Sequence, residues 1–263
     1  NLALGRTSAP FVLLLNADAR PAPDYVTRLL ELFHEGGGRR IGAATGRLLR
    51  FAGGAEGGGE GAGERVLDAC GMRLTLTWRH LDRGSGEPDR GQWGRRERVF
   101  GATGAASLFS RAALDDAAVN GEVFDSAFHS FREDAELCFR LCERSWEVVY
   151  EPAAVARHRR WNVPRSRREM PPLVNFHSLK NRYLLRAYHQ SGLNLLLTLI
   201  PALFRDLGAL AYALVFERAS LAAYAWVWRH RREVWARRRA IQRRKTCRPW
   251  ALERWFFRSG EPL

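Results

Sequence analysis

The stretch FVLLLNADAR, residues 11–20, limits the possible folds more than any other part of the chain. Five apolar residues, Phe11 to Leu15, run directly into Asn16, Ala17 and Asp18. An apolar run this short and unbroken suits a strand covered on both faces. It delivers a carboxylate, Asp18, at its carboxyl end. PAPDYVTRLLELFHE follows, with Pro23-Asp24 as a helix start and Val26, Leu29, Leu30 and Phe33 on one helical face. GGGRR stops that helix, and IGAATGRLLR reads as the next strand. Strand, helix, strand is the alternation of an α/β sheet.

Further along, AGGAEGGGEGAG (52–63) is Gly-rich but lacks the spacing and the lysine of a phosphate-binding loop, so it reads as a surface loop. The segment from Glu64 to Leu114 suggests strands and turns ending in a short helix. FREDAELCFRLCERSW is helical, and EVVYEPAAVARHRR reads as a short strand, a proline turn and a terminal histidine. Three apolar blocks lie between residues 193 and 228, separated by RD and ER. None alone reaches the roughly 18–20 apolar residues of a spanning helix. Arginine- and tryptophan-rich segments follow.

The net charge of +14 is unevenly placed. Residues 151–263 carry 23 Lys+Arg against 7 Asp+Glu, whereas residues 1–150 carry 19 against 21. The basic part therefore points to an anionic surface. Apolar blocks, tryptophans and arginines together suit helices lying in a membrane interface. The plainer reading is core helices with a solvated basic face. No nucleic-acid recognition motif accompanies the charge. The four cysteines have neither a Cys-x-x-Cys pair nor a zinc spacing, which suggests a reducing compartment.

Three features carry possible chemistry. Asp18, at a strand's carboxyl end, can hold a divalent cation that bridges phosphate oxygens, or can simply form an Asx turn. Glu133-Asp134 can supply a general base, or can complement a helix dipole. His158 can be a metal ligand, a phosphate contact or a surface residue.

In this order the pieces resemble family 2 glycosyltransferases, inverting enzymes of GT-A fold that use nucleotide-sugar donors. The matching stretches are FVLLLNADARPAPDYVTRLL, DRGSGEPDRGQW, ERVFGATGAASLFSRAAL, VFDSAFHSFREDAELCFRLCERSWEVVYEPAAVARH and NFHSLKNRYLLRAYH. DRGSGEPD and KNRYLL look most like the rhamnosyltransferase-type members that build bacterial surface polysaccharides. The resemblance implies that Asp18 binds the metal and the donor diphosphate, with Asn16 beside it. It implies Asp134 as the catalytic base with Glu133 next to it, His158 as completing the metal or diphosphate site, and Gly101, Thr103 and Gly104 on the acceptor side. Ala17 replaces a common proline, and Glu136 a frequent second aspartate.

The fold expected is therefore α/β: a GT-A-like mixed sheet flanked by helices, with a C-terminal amphipathic helical region. The core spans 1–160, a connecting segment and helix 161–192, and a basic membrane-associating tail 193–263. The family's N-terminal nucleotide-binding unit is not in this sequence, so the core reads as N-terminally truncated. The implied cofactor is Mg²⁺ or Mn²⁺. The implied partners are a nucleotide-sugar donor (dTDP-rhamnose being one candidate), a lipid-linked or glycan acceptor and an anionic membrane surface, without nucleic acid. The implied location is the cytoplasmic face of the cytoplasmic membrane. Two other readings are an inactive fragment that binds carbohydrate or tethers to membranes, and a polyprenyl-phosphate sugar synthase.

Overall fold

The computed structural model describes residues 1–51, 65–159 and 169–263. The Gly-rich segment expected to be a surface loop lies outside the described residues. In chain order the elements are β1 Phe11–Leu15, β2 Ala19–Pro21, α1 Tyr25–Glu35, β3 Ile41–Arg50, β4 Leu67–Ala69, β5 Met72–Leu74 and β6 His80–Asp82. Then come β7 Glu97–Val99, β8 Ala106–Ser110, α2 Arg111–Ala117, α3 Glu133–Glu143 and β9 Glu147–His158. The C-terminal part holds α4 Pro172–His189, α5 Gly192–Phe216, α6 Ala222–Arg229, α7 Arg231–Arg243, α8 Trp250–Glu253 and β10 Glu261–Pro262.

The main sheet runs β1-β8-β3-β9-β7-β10, with β4 on the end of β3 and β2 on the far half of β9. β3 and β9 are parallel, and the other pairs in this sheet are antiparallel. This is the mixed sheet flanked by helices that the resemblance implies. β1 and β3 both oppose β8, so β1, β3 and β9 run the same way. Their carboxyl ends, Leu15, Arg50 and His158, therefore lie at one edge of the sheet.

Two expectations change. β1 is an edge strand: among the described residues it pairs with β8 alone, and its apolar residues are only partly covered. Five consecutive apolar residues carry no period, so they cannot distinguish two-sided from one-sided burial. EVVYEPAAVARH is one twelve-residue strand, without a break at the proline. Its register against β3 jumps from Gly46↔Glu151 to Arg47↔Val155, and the extra residues form a bulge that accommodates Pro152.

The bulge leaves no room at Gly46, where a Cβ would overlap the Ala154 carbonyl oxygen and the Tyr25 ring. Tyr25 is fully buried; its hydroxyl accepts from the Gly46 N–H at 3.2 Å and donates to the Ala106 carbonyl at 2.8 Å. One phenol thus joins α1, β3 and β8.

Helix α3 is fastened to α4 by buried charge. Arg140 donates from Nε to both oxygens of Glu136, at 2.8 and 3.0 Å, and from its two Nη atoms to the Ala117 and Val123 carbonyls. His189 of α4 lies between Glu143, at 2.9 Å, and Glu136, at 3.5 Å. Burial alone would raise the Glu136 pKa, but Arg140 and His189 outweigh it and hold it at about 2. Glu136, at the position of the frequent second aspartate, has a structural partner set here.

The C-terminal helices share their core with the sheet. Met72, Phe100 and Phe139 pack in one cluster with Leu184, Ile241 and Trp255. The first two apolar blocks form one continuous helix, α5, through Arg205-Asp206, instead of remaining separate. Asp206 does not break it because Arg182 and Arg186 of α4 neutralise it. By length and composition alone α5 suffices to cross a membrane, with a mean hydropathy of 1.6 over its most apolar window.

Gly46→Ala should destabilise the fold by about 1–3 kcal/mol, the usual cost of overpacking. Gly5→Ala, at a site with no neighbour within 4 Å, should be neutral. Urea midpoints of the two variants check this.

Candidate active site

The carboxyl end of β1 turns at once. The Ala19 N–H donates to the Asn16 carbonyl at 3.0 Å, which brings Asp18 out of the strand line and starts β2. β2 then pairs with the end of β9, Ala19 opposite His158. Asp18 and His158, 140 positions apart in sequence, are thereby neighbours: Asp18 Oδ1 lies 3.2 Å from His158 Nε2. The Asn16 amide nitrogen is 3.5 Å from the same Nε2. His158 is buried and not a surface residue.

Sequence reasoning missed the group that orients this imidazole. Asp68 of β4, almost fully buried, lies 2.8 Å from His158 Nδ1, and its other oxygen is 3.6 Å from Arg50 Nε. A carboxylate beside Nδ1 accepts that nitrogen's proton in a hydrogen bond and so turns Nε2 toward Asp18. The available signal was an acid inside the apolar stretch VLDAC, since a charge inside a short strand needs a partner.

Asn16 also links this corner to the next segment, its N–H donating to the Ala105 carbonyl at 2.9 Å. In that segment the Gly104 N–H donates to Asp134 Oδ2 at 3.0 Å, and the Ala135 N–H donates to Oδ1 at 2.7 Å. Asp134 stands in the first turn of α3, where the helix dipole favours a negative charge. Burial and the neighbouring Glu133 carboxylate nevertheless push its pKa up to about 6, against the two N–H donors. Asp82 adds to the same upward push. Burial also raises the Glu133 pKa, and Glu133 Oε2 has no hydrogen-bond partner among the described residues.

Of the three residues assigned to the acceptor side, Gly104 is the one seen hydrogen-bonded to Asp134 among the described residues. Thr103 is buried, and its carbonyl accepts from the Ser107 hydroxyl at 2.7 Å. Gly101 is a packing position: a Cβ there would meet Cys138 of α3.

The turn before α3 is held in unusual geometry. His129, Phe131 and Arg132 all have positive φ, from 60° to 73°. The buried Asn181 of α4 steadies it, its amide donating to the Phe128, Ser130 and Phe131 carbonyls at 2.9, 2.7 and 2.7 Å. Sequence reasoning gave Asn181 no role of its own.

A polar cavity of about 550 Å³ is lined by His80, Asp82, Glu87 and Trp93 among others. It is tied to the Asp134 corner through Asp82, which faces Asp134 electrostatically, and through His80, whose Nδ1 lies 3.2 Å from an Arg132 amino group.

Asp18 and His158 present one carboxylate oxygen and one imidazole nitrogen to a common point, a donor pair that suits a divalent cation such as Mn²⁺. Among the described residues no group of three or more His, Cys, Asp or Glu could hold a metal. The protein would thus supply two ligands and leave the rest to substrate phosphates and water.

No protein-family model matches the chain, and no curated protein matches it. Among solved structures, it is similar to GalNAc-T7 determined with UDP, GalNAc and Mn²⁺, at TM-score 0.49 and 12% identity over 71% of this chain. The match spans 33% of that protein's length.

The raised Asp134 pKa has a sign that can be checked. A carboxyl protonated more tightly in the folded than in the unfolded state favours folding below its unfolded value of 3.8, and that favour is lost as pH rises toward 6. Above pH 6 the charge opposes folding. Because Asp134 is largely buried, the penalty is about 1–3 kcal/mol. Asp134→Asn forfeits one of the two N–H bonds at every pH but carries no charge, so the Tm of the wild type relative to this variant should fall as pH rises from 4 through 6, as read by calorimetry.

Proposed function

We propose that this protein transfers a sugar from a nucleotide-sugar donor to a glycan or lipid-linked acceptor, with inversion at the anomeric carbon. The observation that carries the reading is the convergence at one sheet edge. Asp18 and His158 meet at 3.2 Å, and the next segment, tied to Asn16, presents Gly104 to Asp134. A cation-binding corner beside a carboxylate with a raised pKa is what a displacement at a sugar diphosphate needs.

In this reading Asp18 and His158 hold the cation, and Asp68 fixes the His158 tautomer. A divalent cation bound there would offset the charge that develops on the departing nucleoside diphosphate. Asp134 takes the proton of the acceptor hydroxyl while that oxygen bonds to the anomeric carbon and the bond to the diphosphate oxygen breaks. Attack from the opposite face inverts the carbon, and Asp134 then loses the proton to solvent. A pKa of about 6 leaves Asp134 mostly ionised at neutral pH yet basic enough to accept the proton. The Gly104 N–H fixes the orientation of the carboxylate, and Asn181 steadies the backbone leading to it. The polar cavity with Trp93, Asp82 and Glu87 takes the acceptor sugar, which brings a flat aromatic ring and hydrogen-bonding groups to a polyhydroxylated ring. Acceptor and donor held side by side supply much of the rate.

The C-terminal part seats the protein on an anionic membrane at the cytoplasmic face, within reach of a lipid-linked acceptor. The stretches DRGSGEPD and KNRYLL support a rhamnosyltransferase-like specificity in bacterial cell-surface polysaccharide synthesis, with dTDP-rhamnose as the first donor to try.

The test is a panel of UDP-, GDP- and dTDP-linked sugars with Mn²⁺ or Mg²⁺ and the intact protein, monitoring donor binding by calorimetry and release of nucleoside diphosphate. Asp134→Asn should lower turnover by about 10²–10⁴-fold while donor binding persists. Asp18→Asn should weaken cation-dependent donor binding. Activity should rise with pH through about 6 as Asp134 ionises. Failure of every donor to bind in the presence of either cation would sink the reading.

A further inference from the structure

Helix α5 has its polarity reversed. Asn194, Thr198, Ala202 and Asp206, spaced every fourth residue, face the protein. Asn194, Thr198 and Ala202 are fully buried, Thr198 Oγ1 accepts from Trp78 Nε1 at 3.1 Å, and Asp206 is paired with Arg182 at 2.8 Å and with Arg186. The opposite face is apolar and exposed: Leu196, Ile200, Leu203, Phe204 and Leu207 are each at least half exposed. Only 11% of the helix's most apolar window is buried. A helix on the surface of a protein surrounded by water shows the reverse arrangement. Because its polar face is bound lengthwise to α4 and the Trp78 turn, α5 lies along the domain, so an apolar medium would meet it from the side.

At the foot of this helix is a cavity of about 330 Å³ whose lining includes Arg79, Arg132, Arg182 and Arg205, with Glu217 the single acid among its lining residues. Arg182 is 4% exposed, and its Nε has no hydrogen-bond partner among the described residues. Burial lowers the pKa of Arg79, and Arg205 and Arg73 lower it further. Burial likewise lowers that of Arg182, despite Asp206. Four guanidinium groups converging beside one carboxylate are suited to an anion with several oxygens.

We propose that this cavity is the headgroup site for an anionic phospholipid, its phosphate held by Arg79, Arg132, Arg182 and Arg205 while the exposed face of α5 enters the acyl region of the same leaflet. Charge and apolarity adjoin here in the order of a phospholipid, phosphate first and hydrocarbon next to it. The inference rests on the membrane seating proposed above and is independent of the sugar-transfer chemistry.

Flotation of the intact protein with vesicles tests it, comparing phosphatidylcholine alone with a 7:3 mixture of phosphatidylcholine and phosphatidylglycerol. The wild type should bind the anionic vesicles at least tenfold more tightly. Arg79→Gln with Arg205→Gln, both on exposed side chains, should remove most of that preference without changing the circular dichroism melt. Phe204→Ser with Ile200→Ser should weaken binding to both vesicles. Lysine neutralisation elsewhere provides the comparison: Lys245→Gln should leave the preference in place. If the double arginine variant keeps the full preference, the cavity is not the headgroup site. If the wild type floats with neither vesicle, or buries α5 in a dimer that does not bind vesicles, the membrane seating fails too. Donor binding by the same preparation shows whether the transferase reading survives either result.

Discussion

The parallel pairing of β3 and β9 is the interaction on which the rest depends. It runs from Ile41↔Glu147 to Arg50↔His158, with a small shift between Ile41 and Ala43 and a larger slip at the Gly46 bulge. Without that slip, the far half of β9 would be displaced along β3, and His158 would not sit opposite Arg50 or beside the β1–β2 turn. Tyr25 seals the bulge from the helix side and Ala154 from the strand side, which is why the position between them is a glycine. Two neighbouring parallel strands end at the same edge, so the backbone direction alone brings the ends of β3 and β9 beside the end of β1.

The candidate site is made of charges placed under tension. Asp134 is drawn toward ionisation by two backbone N–H groups and away from it by burial and by Glu133. The geometry persists because the helix that carries it is held from behind. Glu136, Arg140, Glu143 and His189 form a buried network between α3 and α4, and removing one member would strand the others without a partner. Asn181 acts on the other side of the same helix start, where Phe128, Ser130 and Phe131 give it their carbonyls. Stability is thus concentrated around the carboxylate that itself costs stability, a distribution common where function requires a strained group.

The C-terminal region packs into the same core as part of the sheet, and among the described residues it carries most of the exposed large apolar side chains. α8 and β10 return to the sheet, with Glu261 opposite Arg98 of β7, and Trp255 and Phe256 enter the core beside Trp78. α5 uses its polar residues for docking and leaves its leucines outside. A contiguous exposed apolar face on one helix marks an interaction surface.

Much of the fold was legible in the sequence. The first strand, α1, β3, α3 and the abrupt change in charge after residue 150 follow from local spacing and composition, because apolar periodicity records which residues share a face. The acids were legible too, as carboxylates at the end of a strand and the start of a helix. What a face meets is not a local property. That β1 lies at an edge, that the proline in β9 is absorbed by a bulge, and that two apolar blocks join across Arg205-Asp206 all depend on partners distant in the chain. The same holds for the site. Sequence supplied Asp18, His158 and Asp134 as separate candidates, each with an ordinary alternative. Only the tertiary structure placed Asp18 against His158, added the buried Asp68 behind it and set Gly104 on Asp134, because strand direction and register, and not distance along the chain, determine which charges must share a small volume.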